Sequence, residues 1–97
     1  MSEEEKFAEQ GRAYAELKRT RSNVATIASS LARAAELFQQ IGSALEKFLA
    51  NPEDQVTAVH LEEKLKAADP QRVAALIRGL DHETQAARVL QQRIDKF

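Results

Sequence analysis

Apolar residues in the first half of the chain repeat with the seven-residue period of a helix that packs against other helices. Between Leu17 and Leu49 they fill two heptad positions, and a third, neighbouring position adds more of them. Thr20 is the only polar residue on the two main positions. The three sets are Leu17, Val24, Leu31, Phe38 and Leu45; Ile27, Ala34, Ile41 and Phe48; and Tyr14, Ala28, Ala35 and Leu49.

This pattern predicts one uninterrupted helix over about residues 3–49, because no proline occurs before Pro52. At 1.5 Å per residue the helix is about 70 Å long, which is typical of a coiled coil or an extended bundle. Gly11 is its weakest point, since glycine inside a helix costs up to about 1 kcal/mol relative to alanine. We therefore expect residues 1–11 to fray.

The segment "FLANPEDQV" interrupts the pattern at the middle of the chain. Asparagine is a preferred N-cap, proline is favoured at the first helical position, and acidic residues suit the positive end of a helix. Asn51 is therefore predicted to cap a second helix over about residues 52–68. The same signals recur at Asp69 and Pro70, where a third helix is predicted over about residues 70–97.

The third segment has a heptad of its own, in which Glu83 is the only residue that does not fit. Its apolar members are Val73, Leu80, Ala87 and Ile94 at one position, and Leu76, Leu90 and Phe97 at the other.

Two arms of nearly equal length flank Asn51, and this favours a hairpin in which the chain only kinks at Asp69–Pro70. A full reversal at Asp69–Pro70, giving a short three-helix bundle, is the alternative. In the hairpin, Leu90 should approach Ala13, and Phe97 should lie beside Phe7. The predicted fold is thus an all-α, long helical hairpin in one domain, residues 1–97, which completes a bundle by self-association or with a helical partner.

Composition supports association. The chain has 97 residues, of which 43% are hydrophobic and only 5% aromatic, and it lacks tryptophan. Such a small chain buries a modest share of its surface, and oligomerisation is a common way to bury more. A homodimer, or a complex with another helical protein, is therefore predicted.

The formal net charge of −1 and the acidic start "MSEEEKFAEQ" give no sign of a cleaved signal or a membrane anchor. We expect a cytoplasmic protein without a membrane partner, and export that needs no cleaved signal stays open. The chain has no cysteine, so disulfides and thiolate metal sites are excluded.

Catalytic and cofactor chemistry lack the residues they need. No serine lies in a nucleophile-elbow context, and no glycine-rich loop is present to hold a phosphate. His60 and Glu63 share a helical face, but a metal site requires three or four ligands. The sequence therefore predicts a protein that is not an enzyme and has no cofactor, no metal and no small-molecule substrate.

A surface of small residues in "SNVATIASSLARAAE" is the strongest candidate for an interface. Alanine is the best helix former, so this composition also suits an ordinary helix. Small side chains nevertheless let a second helix approach closely. The predicted interface consists of Ala25, Ala28, Ala32 and Ala35, with Tyr14, Leu17 and Val24.

A basic group in and near "LKRTR" is a weaker candidate, for contact with phosphate. Its members are Arg12, Lys18, Arg19 and Arg21, and the nearby Glu9 and Glu16 dilute their charge. A cluster of this kind on a neutral chain is more often a solvated surface, and nucleic acid is accordingly not the expected partner.

The layout of a long helix, an Asn-Pro turn and a second arm that ends in an aromatic residue is similar to that of bacterial secretion hairpins. These are the needle subunits, over "ALEKFLANPEDQ", and the small exported proteins of the WxG type, although no W-x-G occurs at the turn here. Two functions are expected from the residues. The first is a non-enzymatic helical interaction module: an adaptor, small chaperone or assembly subunit. The alternative is a small regulator or inhibitor that contacts nucleic acid or a nucleoprotein through the basic group.

Overall fold

A computed structural model describes residues 2–97 of the chain. Three helices follow one another: α1 (Glu3–Ala50), α2 (Gln55–Ala68) and α3 (Pro70–Asp95). No strand occurs in the described range. The predicted all-α class is confirmed, and α1 runs without a break through Gly11.

The first helix begins with a cap that the sequence analysis had not identified. The Ser2 hydroxyl accepts a hydrogen bond from the Glu5 N–H at 3.2 Å, and the Ser2 carbonyl accepts one from the Lys6 N–H at 3.0 Å. These are the bonds that an N-cap residue makes to the first helical turn. The fraying predicted for residues 1–11 stays a prediction.

The start of the second helix differs from the prediction, because Asp54, and not Asn51, is its N-cap. The Asp54 N–H donates to the Asn51 carbonyl at 3.2 Å, so residues 51–54 form a turn with Pro52 at its second position. Asparagine at the first position and proline at the second are common in type I turns. The Asn-Pro pair therefore ends α1 in a turn, and α2 starts three residues later than expected.

The α2–α3 junction follows the predicted pattern. The Asp69 carboxylate accepts a hydrogen bond from the Arg72 N–H at 3.2 Å, and Pro70 is the first residue of α3. Asp69 also ends α2 in a left-handed conformation with φ 38° and ψ 78°. Among non-glycine residues, aspartate and asparagine tolerate this region best. One residue thus ends one helix and caps the next.

The chain divides by its internal contacts into two units. The first comprises Met1–Ala28 and Ile77–Phe97. Its core joins the start of α1 to the end of α3 through Ala13, Leu17, Leu90 and Ile94, with Ala87 and Phe97 packed against them. This contact is the one expected of a hairpin that only kinks at Asp69–Pro70, and the hairpin arrangement is confirmed.

The second unit comprises Ser29–Leu76. Here α2 packs back against the end of α1, and the buried residues are Ile41, Leu61 and Ala68. Leu37, Ala44 and Phe48 pack against this group from α1. Both cores are small, and no large side chain in residues 2–97 is completely buried.

The pairing register of the first unit is shifted from the predicted one. Phe97 packs against the cluster that contains Ala13 and Leu17, whereas Phe7 is not part of it and is exposed. The expected register assumed almost no loop at the tip, but four residues separate α1 from α2. Leu90 and Ala13 belong to the same core, as expected, so the difference from the prediction is shown at the Phe97 end of the pairing.

Thr20, the polar residue in the predicted seam, is buried without leaving its hydroxyl unpaired. Its Oγ1 donates to the Glu16 carbonyl at 2.9 Å. A threonine that bonds the carbonyl four residues earlier satisfies its own hydroxyl inside a helix. No buried side-chain nitrogen or oxygen in residues 2–97 is left without a partner.

Candidate protein-protein interface

Three large apolar side chains of α1 are exposed in the second unit, although the sequence pattern assigned them to the seam. They are Phe38 (41% exposed), Leu45 (45%) and Leu49 (68%). The second arm instead covers the adjacent side of α1, where Leu37 and Ala44 pack against the core. Ile41 and Phe48 of the predicted seam do lie in this core, so only the other seam position is displaced by one residue, from Phe38 and Leu45 to Leu37 and Ala44.

The exposed residues belong to a second stripe along α1, which we call the outer stripe. Its spacings are four, three, four, three and four residues, so all its members lie on one side of the helix. Leu31 is half-buried and the other five are exposed. The outer stripe consists of Leu31, Ala35, Phe38, Gly42, Leu45 and Leu49.

Gly42 lies at the centre of the outer stripe, in the interior of α1. A Cβ atom added to this residue would meet nothing within 4 Å. Glycine inside a helix costs up to about 1 kcal/mol relative to alanine. No contact within the chain requires a glycine here, and its effect is to leave a gap between Phe38 and Leu45 on the surface.

The second helix adds one more apolar residue to the same side of the unit. Leu65 is exposed and lies one turn from the buried Leu61. With 3.6 residues per turn, Leu65 points about 40° away from the direction of Leu61, and this rotation places it on the same side of the unit as Phe38 and Leu45. The opposite side carries a polar groove lined by Gln40, Ser43, Ala44, Lys47, Thr57, His60 and Lys64.

The residues predicted as an interface divide into three groups. The four alanines, Ala25, Ala28, Ala32 and Ala35, are exposed on α1. Tyr14 is also exposed, whereas Val24 is half-buried. Leu17 is only 4% exposed because the chain's own α3 covers it. Of the predicted set, the alanines and Tyr14 present the most surface to a partner.

The four basic residues are exposed but do not form one patch. Arg12 and Arg19, seven residues apart, share a side of α1 that faces away from the core. Lys18 is rotated by about 100° from Arg19. The Arg21 guanidinium turns to α3, where it donates to the Gln91 side-chain oxygen at 2.8 Å. Their charges are therefore spread over about half of the helix circumference.

The Asp54 carboxylate is the one group in the described chain with a clear shift in pKa. Its pKa is lowered below the ordinary 3.8, chiefly because the Thr57 hydroxyl donates to it at 2.7 Å. The Val56 and Thr57 N–H groups donate to the same carboxylate at 3.1 and 3.2 Å. Through these hydrogen bonds the Asp54 carboxylate caps the start of α2.

Other kinds of site find little support in the described residues. No group of three or more His, Asp or Glu side chains in residues 2–97 is placed to hold a metal. None of the three helices combines the length and apolar character that a membrane span requires. A groove beside the α2–α3 junction carries two guanidinium groups, from Arg33 and Arg72, and is open to solvent.

Comparison with known proteins gives no assignment: no family model matches the chain, and neither a curated protein nor a solved structure shows significant similarity to it.

The heptad pattern does not distinguish the outer stripe from the seam. It predicts that Phe38 and Leu45 lie in the hairpin seam and Leu49 at its widened edge, and it gives Gly42 no role. A signal was present, because Gly42 completes a continuous heptad of apolar and small residues next to the seam. Two adjacent stripes of the same composition cannot be told apart until the position of the second arm is known.

Proposed function

We propose that this protein is a non-enzymatic helical interaction module, an adaptor, small chaperone or assembly subunit that acts by burying a helix face against another helix. Its partner is a second copy of the chain or another helical protein. The supporting observation is the large apolar surface that the chain's own folding leaves uncovered.

The total exposed area of the chain is also larger than a compact monomer requires. The accessible surface is 7557 Å², whereas a compact monomer of 10.8 kDa is expected to expose about 5,500 Å². The excess is about 2,000 Å², and a stable interface of standard size covers about 800 Å² on each partner. Burying one face of this size against a partner would therefore remove less surface than the roughly 2,000 Å² by which the chain exceeds a compact monomer.

The exposed area also contains the right kind of side chain. Monomeric proteins rarely expose contiguous apolar patches larger than a few hundred Å², and such patches often mark interaction sites. In the second unit, Phe38, Leu45 and Leu65 are exposed, and the helical period places them on one side of the α1–α2 pair. Such a surface suits a partner that is itself an apolar helix face.

The alternative, contact with nucleic acid through Arg12, Lys18, Arg19 and Arg21, has weaker support. Phosphate binding needs cations that converge on one surface. These four are spread around α1, and Arg21 is engaged by Gln91. The formal net charge of −1 also opposes approach to a polyanion.

Sedimentation equilibrium at low and high salt separates the two functions. Burial of apolar faces predicts a species heavier than 10.8 kDa whose association changes little with salt. Binding to a labelled DNA or RNA duplex, if it were the function, would be strong at low salt and fall steeply as salt rises. A chain that stays monomeric and binds a duplex in this manner would overturn the interaction module in favour of the alternative.

A further inference from the structure

The order of side chains along the outer stripe is self-complementary. Read from Leu31 to Leu49, the stripe is large, small, large, small, large and large. Consider two copies of the stripe that face each other in opposite directions, with Gln40 of both copies at the same level. Phe38 of one copy then lies opposite Gly42 of the other, and Leu45 lies opposite Ala35. At these two central levels a large side chain meets a small one, and only the outermost pair, Leu31 with Leu49, is large against large.

We infer that two copies of this chain pair through the outer stripe, with their α1 helices antiparallel and a two-fold axis at the level of Gln40. This inference rests on the proposed function, and it specifies which face is used and in which direction. The occupant of the outer stripe is the same stripe of a second copy, as in an isologous interface.

Gly42 and Ala35 allow the two helices to approach closely near the axis. Phe38 of each copy fills the gap above Gly42 of the other, a knob in a hole. This use supplies the reason for a glycine that has open space around it in the single chain. Further from the axis, Leu31 meets Leu49, and crossed helices diverge there, so two large side chains fit.

A parallel pairing fits the same residues poorly. It would place Phe38 against Phe38 and Gly42 against Gly42. Two large side chains would then clash at one level, and a void would remain at the next. It would also bring Glu46, which borders the outer stripe and is exposed, beside its own copy. In the antiparallel pair the two Glu46 carboxylates lie about 18 Å apart along the axis, beyond the Debye length of about 10 Å at 0.1 M salt.

The total exposed surface of the chain is large enough to include such an interface. The chain exposes about 2,000 Å² more than a compact monomer of its mass, and about 800 Å² per partner makes an interface of standard size. The outer stripe spans 19 residues of α1, about 27 Å of helix. It lies entirely within the second unit, and Leu65 of α2 widens it.

Cysteine cross-linking tests the pairing, and the chain has no native cysteine to interfere. Ala35→Cys and Leu45→Cys are made as separate single variants. Antiparallel pairing predicts that a mixture oxidises to a 35–45 disulfide dimer, while neither variant alone gives more than a trace. Two equivalent positions in the antiparallel pair lie about 15 Å apart along the axis, too far for a disulfide.

The outcomes separate this inference from the function on which it rests. If each variant alone cross-links as well as the mixture, the antiparallel register is wrong. If the wild-type chain is dimeric but no 35–45 disulfide forms, a different face is used and only this inference fails. If the wild-type chain is monomeric by sedimentation and binds no partner helix, the proposed function fails with it.

Gly42→Leu provides a second test that does not depend on disulfide chemistry. Leucine is a much better helix former than glycine, so the variant should be at least as helical as the wild type. Its side chain occupies the hole for Phe38, and we expect at least a tenfold loss of dimer affinity. Gly11→Leu, at another open helical glycine outside the outer stripe, should gain helicity without losing affinity. Unchanged or tighter association of Gly42→Leu would overturn the inference.

Discussion

The Asp69 carboxylate accepts the Arg72 N–H at 3.2 Å while the Asp69 backbone is held at φ 38°. The same residue thus satisfies two requirements of the α2–α3 junction. It supplies the cap that α3 needs, and it adopts the left-handed conformation that ends α2. Alanine meets neither requirement, whereas asparagine meets both.

We therefore expect Asp69→Ala to lower the free energy of unfolding by about 1 to 3 kcal/mol, the cost of a lost N-cap plus that of a strained backbone. Asp69→Asn should be close to wild type, and Asp69→Gly should fall between the two. Urea denaturation measures the difference. Amide exchange at residues 71–74 should become faster in Asp69→Ala, and exchange there as slow as in the wild type would show that the cap has no effect.

The start of α2 gives a second prediction, which compares two candidate caps. Asp54→Ala removes the acceptor for the Val56 and Thr57 N–H groups, whereas Asn51→Ala leaves those bonds in place. Asp54→Ala should lower the urea midpoint more than Asn51→Ala does. If Asn51→Ala proves the more damaging change, Asn51 acts as the cap and α2 begins earlier than in this structure.

The dependence of stability on pH gives a third prediction. The pKa of Asp54 is lower in the folded chain than its ordinary 3.8, so its carboxylate binds protons more weakly when folded than when unfolded. Its stabilising contribution is therefore complete above pH 3.8 and is lost as the pH falls through the lower, folded value. Nuclear magnetic resonance of the side-chain carboxyl carbon reports the titration directly. A midpoint at or above 3.8 would contradict the hydrogen bond from Thr57.

The sequence predicts those features of the fold that depend on residues close together in the chain. The heptad of α3 is correct, since its members from Val73 to Phe97 are buried or half-buried, Glu83 included. The prediction that Asp69 caps α3 is also correct, because a helix cap depends only on residues close to it in the sequence. At the tip, however, Asn51 and Asp54 are both good N-caps, and the turn around Pro52 decides between them.

The free surface was the least predictable feature because it depends on the position of a distant segment. Phe38 and Leu37 are adjacent and both apolar, yet α2 covers the side of Leu37 and leaves Phe38 exposed. The shift of the register near Phe97 arises in the same way. Phe97 packs against the cluster of Ala13 and Leu17 and not beside Phe7, and no pattern within either arm indicates this difference.

A fourth prediction tests which residues of the first unit form its core. Leu17→Ala deletes a side chain packed against Leu90 and Ile94, and it should lower the free energy of unfolding by about 2 kcal/mol or more. Tyr14→Ala, three residues away and 56% exposed, should change it by about 0.5 kcal/mol or less. Chemical denaturation of both variants at equal concentration makes the comparison. Equal effects would show that α3 does not cover α1 in the way described.

The most direct test of an apolar α1 face covered by a second chain is the dependence of the thermal midpoint on protein concentration. Association with the folded state raises the midpoint as concentration rises, by mass action. We predict such a rise for the wild-type chain, followed by far-ultraviolet circular dichroism from low micromolar to near-millimolar concentration. Leu45→Glu should remove the rise while leaving the helical signal, because Leu45 is largely exposed in the single chain. A wild-type midpoint that is the same at every concentration, with the mass of a monomer, would contradict the proposal.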